Sequence, residues 1–117
     1  MDKQYVHSTT TPAGLNWEKE RIGCQKACSV RGVAFANKGA EGFWLWICDS
    51  ATNAVTRPDQ CPVWVPPGPS SNSLDWSLSP EKFQHGIYVC ASTDPSTKTL
   101  IATPEAFFDI AYEISKD

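Results

Sequence analysis

Long apolar stretches are missing from this chain. The longest, Phe43-Trp44-Leu45-Trp46-Ile47-Cys48, is six residues, against the roughly 20 that a membrane-crossing helix needs. Grouped cations are missing too. No run of Lys or Arg exceeds a pair, Glu18-Lys19-Glu20-Arg21 neutralises itself, and the net charge is −3. Affinity for a phosphate backbone comes from clustered positive charge, so nucleic acid is disfavoured as a partner. The opening MDKQYVHSTTTPAG has no apolar core of the kind a secretory leader carries, so a protein made and used without export is expected. No G-x-S-x-G, P-loop or G-x-G-x-x-G occurs. There is no convincing long helix, internal repeat or linker, and a length of 117 residues points to one domain.

What the chain has is aromatics and alternation. Five Trp and a 41% hydrophobic content are enough for one core. The stretch GFWLWICDS, residues 42–50, is too short for a buried helix and rich in aromatics, which favours a strand buried on both faces. Leu45 and Ile47 would point one way and Trp44, Trp46 and Cys48 the other. The second set would form another core layer or a subunit contact, and at least one of the two Trp is expected to stay less than fully buried.

The rest reads as short strands. Residues 1–16 are a polar arm with at most one short strand around Tyr5 and Val6. Residues 17–23 and 27–37 are strands, the second with Arg31, Val33 and Phe35 on one face and Val30 and Ala34 on the other. Asn37 to Gly42 forms a turn, making residues 30–50 a hairpin candidate. Residues 49–60 are a loop. Residues 61–65 are an edge strand, because four prolines between positions 62 and 69 bar a central one. Residues 70–73 continue that turn, and Leu74, Trp76 and Leu78 alternate as a half-buried strand. Ser79-Pro80-Glu81-Lys82 reads as a cap and one helical turn. Strands follow at 86–92, 97–103 and 107–114. Seven or eight short, mostly antiparallel strands imply an all-β fold, a single-domain jelly-roll-like β-sandwich over 17–117 with an extended N-terminal arm over 1–16.

Chemical signals are sparse. The five cysteines, Cys24, Cys28, Cys48, Cys61 and Cys90, read first as small buried hydrophobes, with a disulfide between two of them left open. Cys24-x-x-x-Cys28 would begin a zinc site, but no CxxC or paired His completes it. His7 and His85 are the candidate general bases, against the more ordinary role of solvated or capping residues. Cys90 lies mid-strand, where a thiol is buried and inert. Asp49, Asp59, Asp75, Asp94 and Asp109 sit mostly beside turns without the D-x-D-x-D-G calcium spacing, so capping is their default. Trp17, Trp64 and Trp76 would make a sugar-stacking platform. Against it, Trp76 alternates with Leu74 and Leu78 as core, and Trp64 in its proline-rich edge fits contact with another chain. No catalytic or metal-binding set emerges, no binding residue is singled out, and no cofactor is implied.

Two stretches carry a family likeness: SVRGVAFANKGAEGFWLWICDSA (29–51) and FQHGIYVCASTDPSTKTLIATPEAFFDIAYE (83–113), the latter preceded by VWVPPGPSSNSLDWSL. Val33 and Asn37 end one strand, Leu45 lies in the aromatic strand, and Asp49 and Ala51 open a loop. Phe83, Gly86, Ile87, Val89, Ser92 and Thr93 form the next element, and Phe108 and Tyr112 the last. This order resembles small virion proteins of tailed bacteriophages, of the capsid decoration (cement) or head-surface type. The doubled Trp44/Trp46 and the extra cysteines depart from that pattern. The resemblance implies a non-enzymatic β-sandwich on the phage head, assembled in the host cytoplasm with reduced cysteines. It implies binding to the major capsid protein and to sister copies as a dimer or trimer, stabilising the head. It transfers no active site. The competing expectations are a carbohydrate- or receptor-binding module of a fibre or tail, and a small metal-dependent or hydrolytic enzyme.

Overall fold

The computed structural model describes residues 5–8, 17–76 and 78–114, which form nine strands and no helix. They are β1 (Tyr5–Ser8), β2 (Glu20–Cys24), β3 (Cys28–Asn37), β4 (Phe43–Cys48), β5 (Val63–Val65), β6 (Ser70–Asp75), β7 (Glu81–Phe83), β8 (Ile87–Ser92) and β9 (Ala106–Ile114). One sheet has the order β1-β9-β3-β6, with β7 also on β3; the other runs β2-β8-β4-β5. We call them sheets A and B.

The pairing has a simple logic. β1 pairs with β9, β2 with β8, β3 with β6 and β4 with β5, all antiparallel. Leaving aside the short β7, the chain is a ribbon doubled back between β4 and β5. Its paired arms alternate between the sheets as they wrap. Pairing of β3 with β9 and of β4 with β8 then closes each sheet. This is the wiring of a jelly roll, as the strand pattern leads one to expect.

Alternation supplies the core. Phe43, Leu45 and Ile47 of β4 join Ile87, Val89 and Ala91 of β8 from sheet B. They face Val33 and Phe35 of β3 and Phe108 and Ile110 of β9 from sheet A. β4 shows its two expected faces: Trp46 and Cys48 point away from this core into a second cluster with Tyr88 and Cys90. Trp46 is fully buried and Trp44 only partly, so one of the two does stay less than fully buried.

Several local expectations need correction. The stretch 30–50 is not a hairpin, because β3 lies in sheet A and β4 in sheet B. Both strands have an inward apolar face, and the five-residue connection carries the chain across the core instead of beside it. Val30 is not opposite Val33. An extra residue near Arg31 shifts the β3–β9 register, since Val30 faces Tyr112 while Gly32 faces Ala111. This bulge turns Val30, Val33 and Phe35 all inward. Residues 70–73 are not a turn but the start of β6, which takes the free edge of β3 from Gly32 to Asn37. That strand ends at Asp75, and Leu78 is wholly exposed. Residues 79–82 hold no helical turn. β7 instead completes the edge of β3 opposite Cys28–Val30, with Phe83 packed inward. Residues 97–103 contribute only an isolated bridge, Leu100 to Ser92. β2 begins at Glu20, after a lone Glu18–Ala106 bridge. β5 is an edge strand, as its prolines require. Part of the polar arm is β1, laid along β9; residues 1–4 and 9–16 of that arm lie outside the described residues.

The crossing from β3 to β4 hangs on Asn37, which is 2% exposed. Its side-chain oxygen accepts from the Gly39 N–H at 2.8 Å. Its Nδ2 donates to the carbonyls of Glu41 (2.9 Å) and Pro66 (3.0 Å). One carboxamide thus ties the end of β3, the crossing loop and the exit of β5. Asn37→Ala would leave the buried Gly39 N–H without its acceptor and two part-buried carbonyls without their donor, and a buried unsatisfied group costs about 1–3 kcal/mol. We expect urea denaturation to show a loss of about 2–4 kcal/mol in total, with the denaturant slope unchanged.

Candidate functional site

Three surfaces carry enough chemistry to consider. The first is the outer face of sheet B. Neighbours in register share a face, so Trp64, Trp44 and Ser92 form one row, and Trp46, Cys90 and Glu20 the next. The loops 49–60 and 93–100 fold over much of it, with Val55 and Leu100 packed on the aromatic cluster. A Lys98 N–H to Thr56 carbonyl bond of 3.3 Å joins the two loops. Trp46 donates its indole N–H to the Asp94 carbonyl at 3.3 Å, and the Lys98 ammonium lies 4.9 Å from the Tyr88 ring centre. Tyr88 donates its hydroxyl to Glu20; burial first, and then that bond, push its ionisation well above the usual range. This second apolar layer is therefore a roofed core, and most of its aromatics are committed to packing.

Polar side chains shape the two loops. Ser92 is fully buried and bonds four ways: it donates toward the carbonyls of Asp94 and Thr97 and accepts from the N–H groups of Asp94 and Thr99. Asp94 accepts from the N–H groups of Ser96 and Thr97, both at 2.8 Å, an Asx-type turn that lowers its pKa. Asp59 accepts from the Asp49 N–H at 2.7 Å. Asp49 in turn accepts from the N–H groups of Gln84, His85 and Gly86. Gly86 has φ +151° and a Cβ there would lie 2.3 Å from the Cys24 carbonyl, so only glycine fits this turn. The turn-capping role expected of Asp49, Asp59 and Asp94 is what these bonds describe.

The sequence-derived site candidates do not converge. His85 is exposed, its Nδ1 is 3.5 Å from Asp49, and its backbone belongs to the Asp49 clamp. The side chain of His7 lies outside the described residues. Cys24 and Cys28 do come together, in contact with Tyr112, at the connection from β2 to β3. Among the described residues, no group of three His, Cys, Asp or Glu is placed to hold a metal. All five cysteines are unpaired, and only Cys61 is exposed. Burial pushes the Cys28 and Cys48 thiols up to about 12 and Cys90 up to about 11, with the neighbouring Cys24 adding to the effect at Cys28. Nucleophilic use of these thiols is thereby disfavoured. Trp17, Trp64 and Trp76 form no common platform. Trp17 stands edge-on to Phe107, Trp76 packs against the main core, and Trp64 leans on Trp44.

The second surface is the outer face of sheet A. The register of β3 with its neighbours puts Gly32, Ala34 and Ala36 there, beside Ser71 and Ser73 of β6 and Ala111 of β9. These small side chains leave a shallow depression of about 280 Å³ bordered by Asp75 and Asp109. Arg31 and Glu113 form an ion pair on the same sheet. Sequence reading missed this face because it depends on three strands far apart in the chain. The third surface is the end of the sandwich around Gly42, beside half-exposed Trp64.

No protein-family model, curated protein or solved structure matches the chain.

Two measurements follow from this chemistry. Burial works to raise the Asp49 pKa, but its three backbone donors and His85 outweigh that and hold it below the ordinary 3.8. A depressed folded-state pKa gives stability that is present above the unfolded value and lost as pH falls through the folded one. Asp49→Asn should therefore lower stability at pH 7 by about 1–2 kcal/mol and flatten the loss seen in wild type from about pH 4 downward, read by denaturation at each pH. For the cysteines, a chromogenic disulfide reagent at pH 8 should titrate Cys61 rapidly in the native protein. Cys28, Cys48 and Cys90 should react only after denaturant is added.

Proposed function

We propose that this chain is a structural protein of a tailed-phage virion, a capsid decoration subunit that binds the major capsid protein and sister copies on the head surface. The observation that carries the reading is the outer face of sheet A. On it Gly32, Ala34, Ala36, Ser71, Ser73 and Ala111 leave a depression beside Asp109 and Phe107, and few long side chains must be ordered before another protein wall approaches closely there. Acidic Asp75 and Asp109 and the Arg31–Glu113 pair border it and would set register more than affinity. Three further features support the reading. The first is the sequence likeness over residues 29–113. The second is the jelly-roll wiring, a fold that recurs in viral shells but hosts other functions as well. The third is β1, which extends sheet A at the edge nearest the chain start. Repeated copies on a closed shell would meet through symmetric contacts, a dimer or trimer being the simplest.

The mechanism is mechanical. A subunit seated across neighbouring capsid proteins adds buried area that must be given up before the shell opens, which raises the temperature at which heads rupture. Heads lacking the protein should bind it when it is added back and then withstand heating that bare heads do not. Ala34→Arg, which places a long cation on the small-residue face without touching the core, should weaken head binding at least about tenfold, while the isolated chain keeps its stability to within about 1 kcal/mol. Equal binding by wild type and Ala34→Arg would remove this face from the proposal. A failure of wild type to bind heads at all would remove the virion role.

A further inference from the structure

We infer that Cys24 and Cys28 are a redox-sensitive pair, two thiols that a small peroxide closes into a disulfide stapling sheet A to sheet B. This goes beyond the virion reading and does not rest on it, since neither residue belongs to the proposed docking face.

Cys24 is the last residue of β2 in sheet B and Cys28 the first of β3 in sheet A, so a short connection carries the chain between the sheets. Cys24 stands opposite Ile87 in its ladder, and Cys28 opposite Phe83 and Ile114 in its own. Both side chains enter the main core at this end, and there they meet. The Cys28 thiol and the Tyr112 hydroxyl donate to the Cys24 sulfur, which itself donates to the Lys26 carbonyl at 3.6 Å. Each cysteine is held by its ladder, so a bond between the sulfurs asks for side-chain rotation and not for a change of strand pairing.

The two thiols differ in access. Cys24 is 8% exposed and lines a cavity of about 470 Å³ together with Gln25, Lys26, Tyr112 and Ile114. Cys28 is 1% exposed. A small oxidant therefore reaches Cys24 first and finds Cys28 directly beside it. The other buried cysteines lack this arrangement. Cys48 and Cys90 lie beneath the loops that roof sheet B, and in the β4–β8 ladder they are out of step, Cys48 opposite Tyr88 and Cys90 opposite Trp46.

The oxidant is hydrogen peroxide, and the chemistry balances. The Cys24 thiolate attacks one peroxide oxygen, the O–O bond breaks, and the departing hydroxide takes up the thiol proton as water. Cys24 is then a sulfenic acid. The Cys28 sulfur attacks it, the S–O bond breaks, and the second hydroxide leaves with the Cys28 proton as water. Two thiols lose two electrons in all, and one peroxide is reduced to two waters. Burial pushes the Cys28 pKa up to about 12, which keeps that thiol inert toward outside reagents. Toward Cys24 this handicap is offset by contact, because a neighbouring group acts at high effective concentration and a high-pKa sulfur is the stronger nucleophile once ionised. The product ties β2 to β3 and removes freedom from the unfolded chain, so the oxidised fold is the more stable one. A thiol reductant reverses it.

The test uses the full chain carrying Cys61→Ser, which removes the exposed thiol, treated with hydrogen peroxide and then alkylated in denaturant. Trypsin cuts after Arg21, Lys26 and Arg31, so the new bond should join peptides 22–26 and 27–31 with the loss of two hydrogen atoms. The thermal midpoint should rise by about 4 °C or more and fall back on treatment with dithiothreitol. Adding Cys28→Ser should leave Cys24 as a sulfenic acid that dimedone labels. Recovery of both peptides alkylated and unjoined overturns the inference, as does a bond from either cysteine to Cys48 or Cys90. Joined peptides without a gain in midpoint overturn the staple, and an unlabelled Cys24 in a folded Cys28→Ser chain overturns its role as the point of attack. If Cys28→Ser does not fold, the peptide map and midpoint of Cys61→Ser alone decide.

Discussion

The buried carboxamide of Asn37 is the interaction on which the rest of this sandwich depends. A jelly roll needs its chain to leave one sheet and enter the other while both strands keep an apolar face on the shared core. At that crossing the backbone can no longer satisfy itself through a ladder. Asn37 supplies one acceptor and two donors in the right directions, to Gly39, Glu41 and Pro66. Two of these partners lie in the crossing loop, and the third is where β5 ends. The same side chain therefore sets where β4 begins and how the proline-bearing edge is held against it. Without these bonds, the apolar pattern of residues 28–48 would serve a flat hairpin equally well.

A second constraint follows from the aromatic strand. Because β4 has apolar side chains on both faces, sheet B cannot leave its outer face to water. The chain answers with two polar loops whose backbone N–H groups are taken up by Asp59, Ser92 and Asp94, while Asp49 holds the turn at Gln84–Gly86. Those side chains look like scattered surface residues in the sequence. In the fold they hold the roof over Trp46 and Tyr88. Sheet A differs: glycine, alanine and serine on its outer face leave a depression among Asp75, Asp109 and Phe107, which is the physical basis of the proposed docking role.

Much of the fold was legible from residue alternation. The inward and outward sets of β4, β8 and β9, the edge character of β5 and the all-β sandwich class follow from period-two patterns and from proline. What escaped did so for identifiable reasons. Residues 70–73 are serine-rich and read as a turn, yet the long free edge of β3 recruits them into β6. Residues 79–82 carry good helix-start chemistry, but Cys28–Val30 offered ladder partners that an isolated helical turn lacks. The bulge near Arg31 adds one residue to one strand, a change that local pattern cannot register because it depends on the partner. The candidate surfaces were less legible still. Trp64 was singled out with Trp17 and Trp76, but its structural neighbours are Trp44 and Gly42.

The sequence by itself determined which side chains of β4, β8 and β9 face inward, that the proline-bearing segment could not be a central strand, and that no long helix would form. Those are properties of neighbouring residues, set by sterics and by alternation along one strand. Tertiary structure alone decided which strands pair, that β3 and β4 separate into different sheets, and which exposed residues become neighbours. Those outcomes depend on groups distant in the chain competing for the same edges and the same buried hydrogen bonds, and Asn37 settles that competition at the point where the chain must cross.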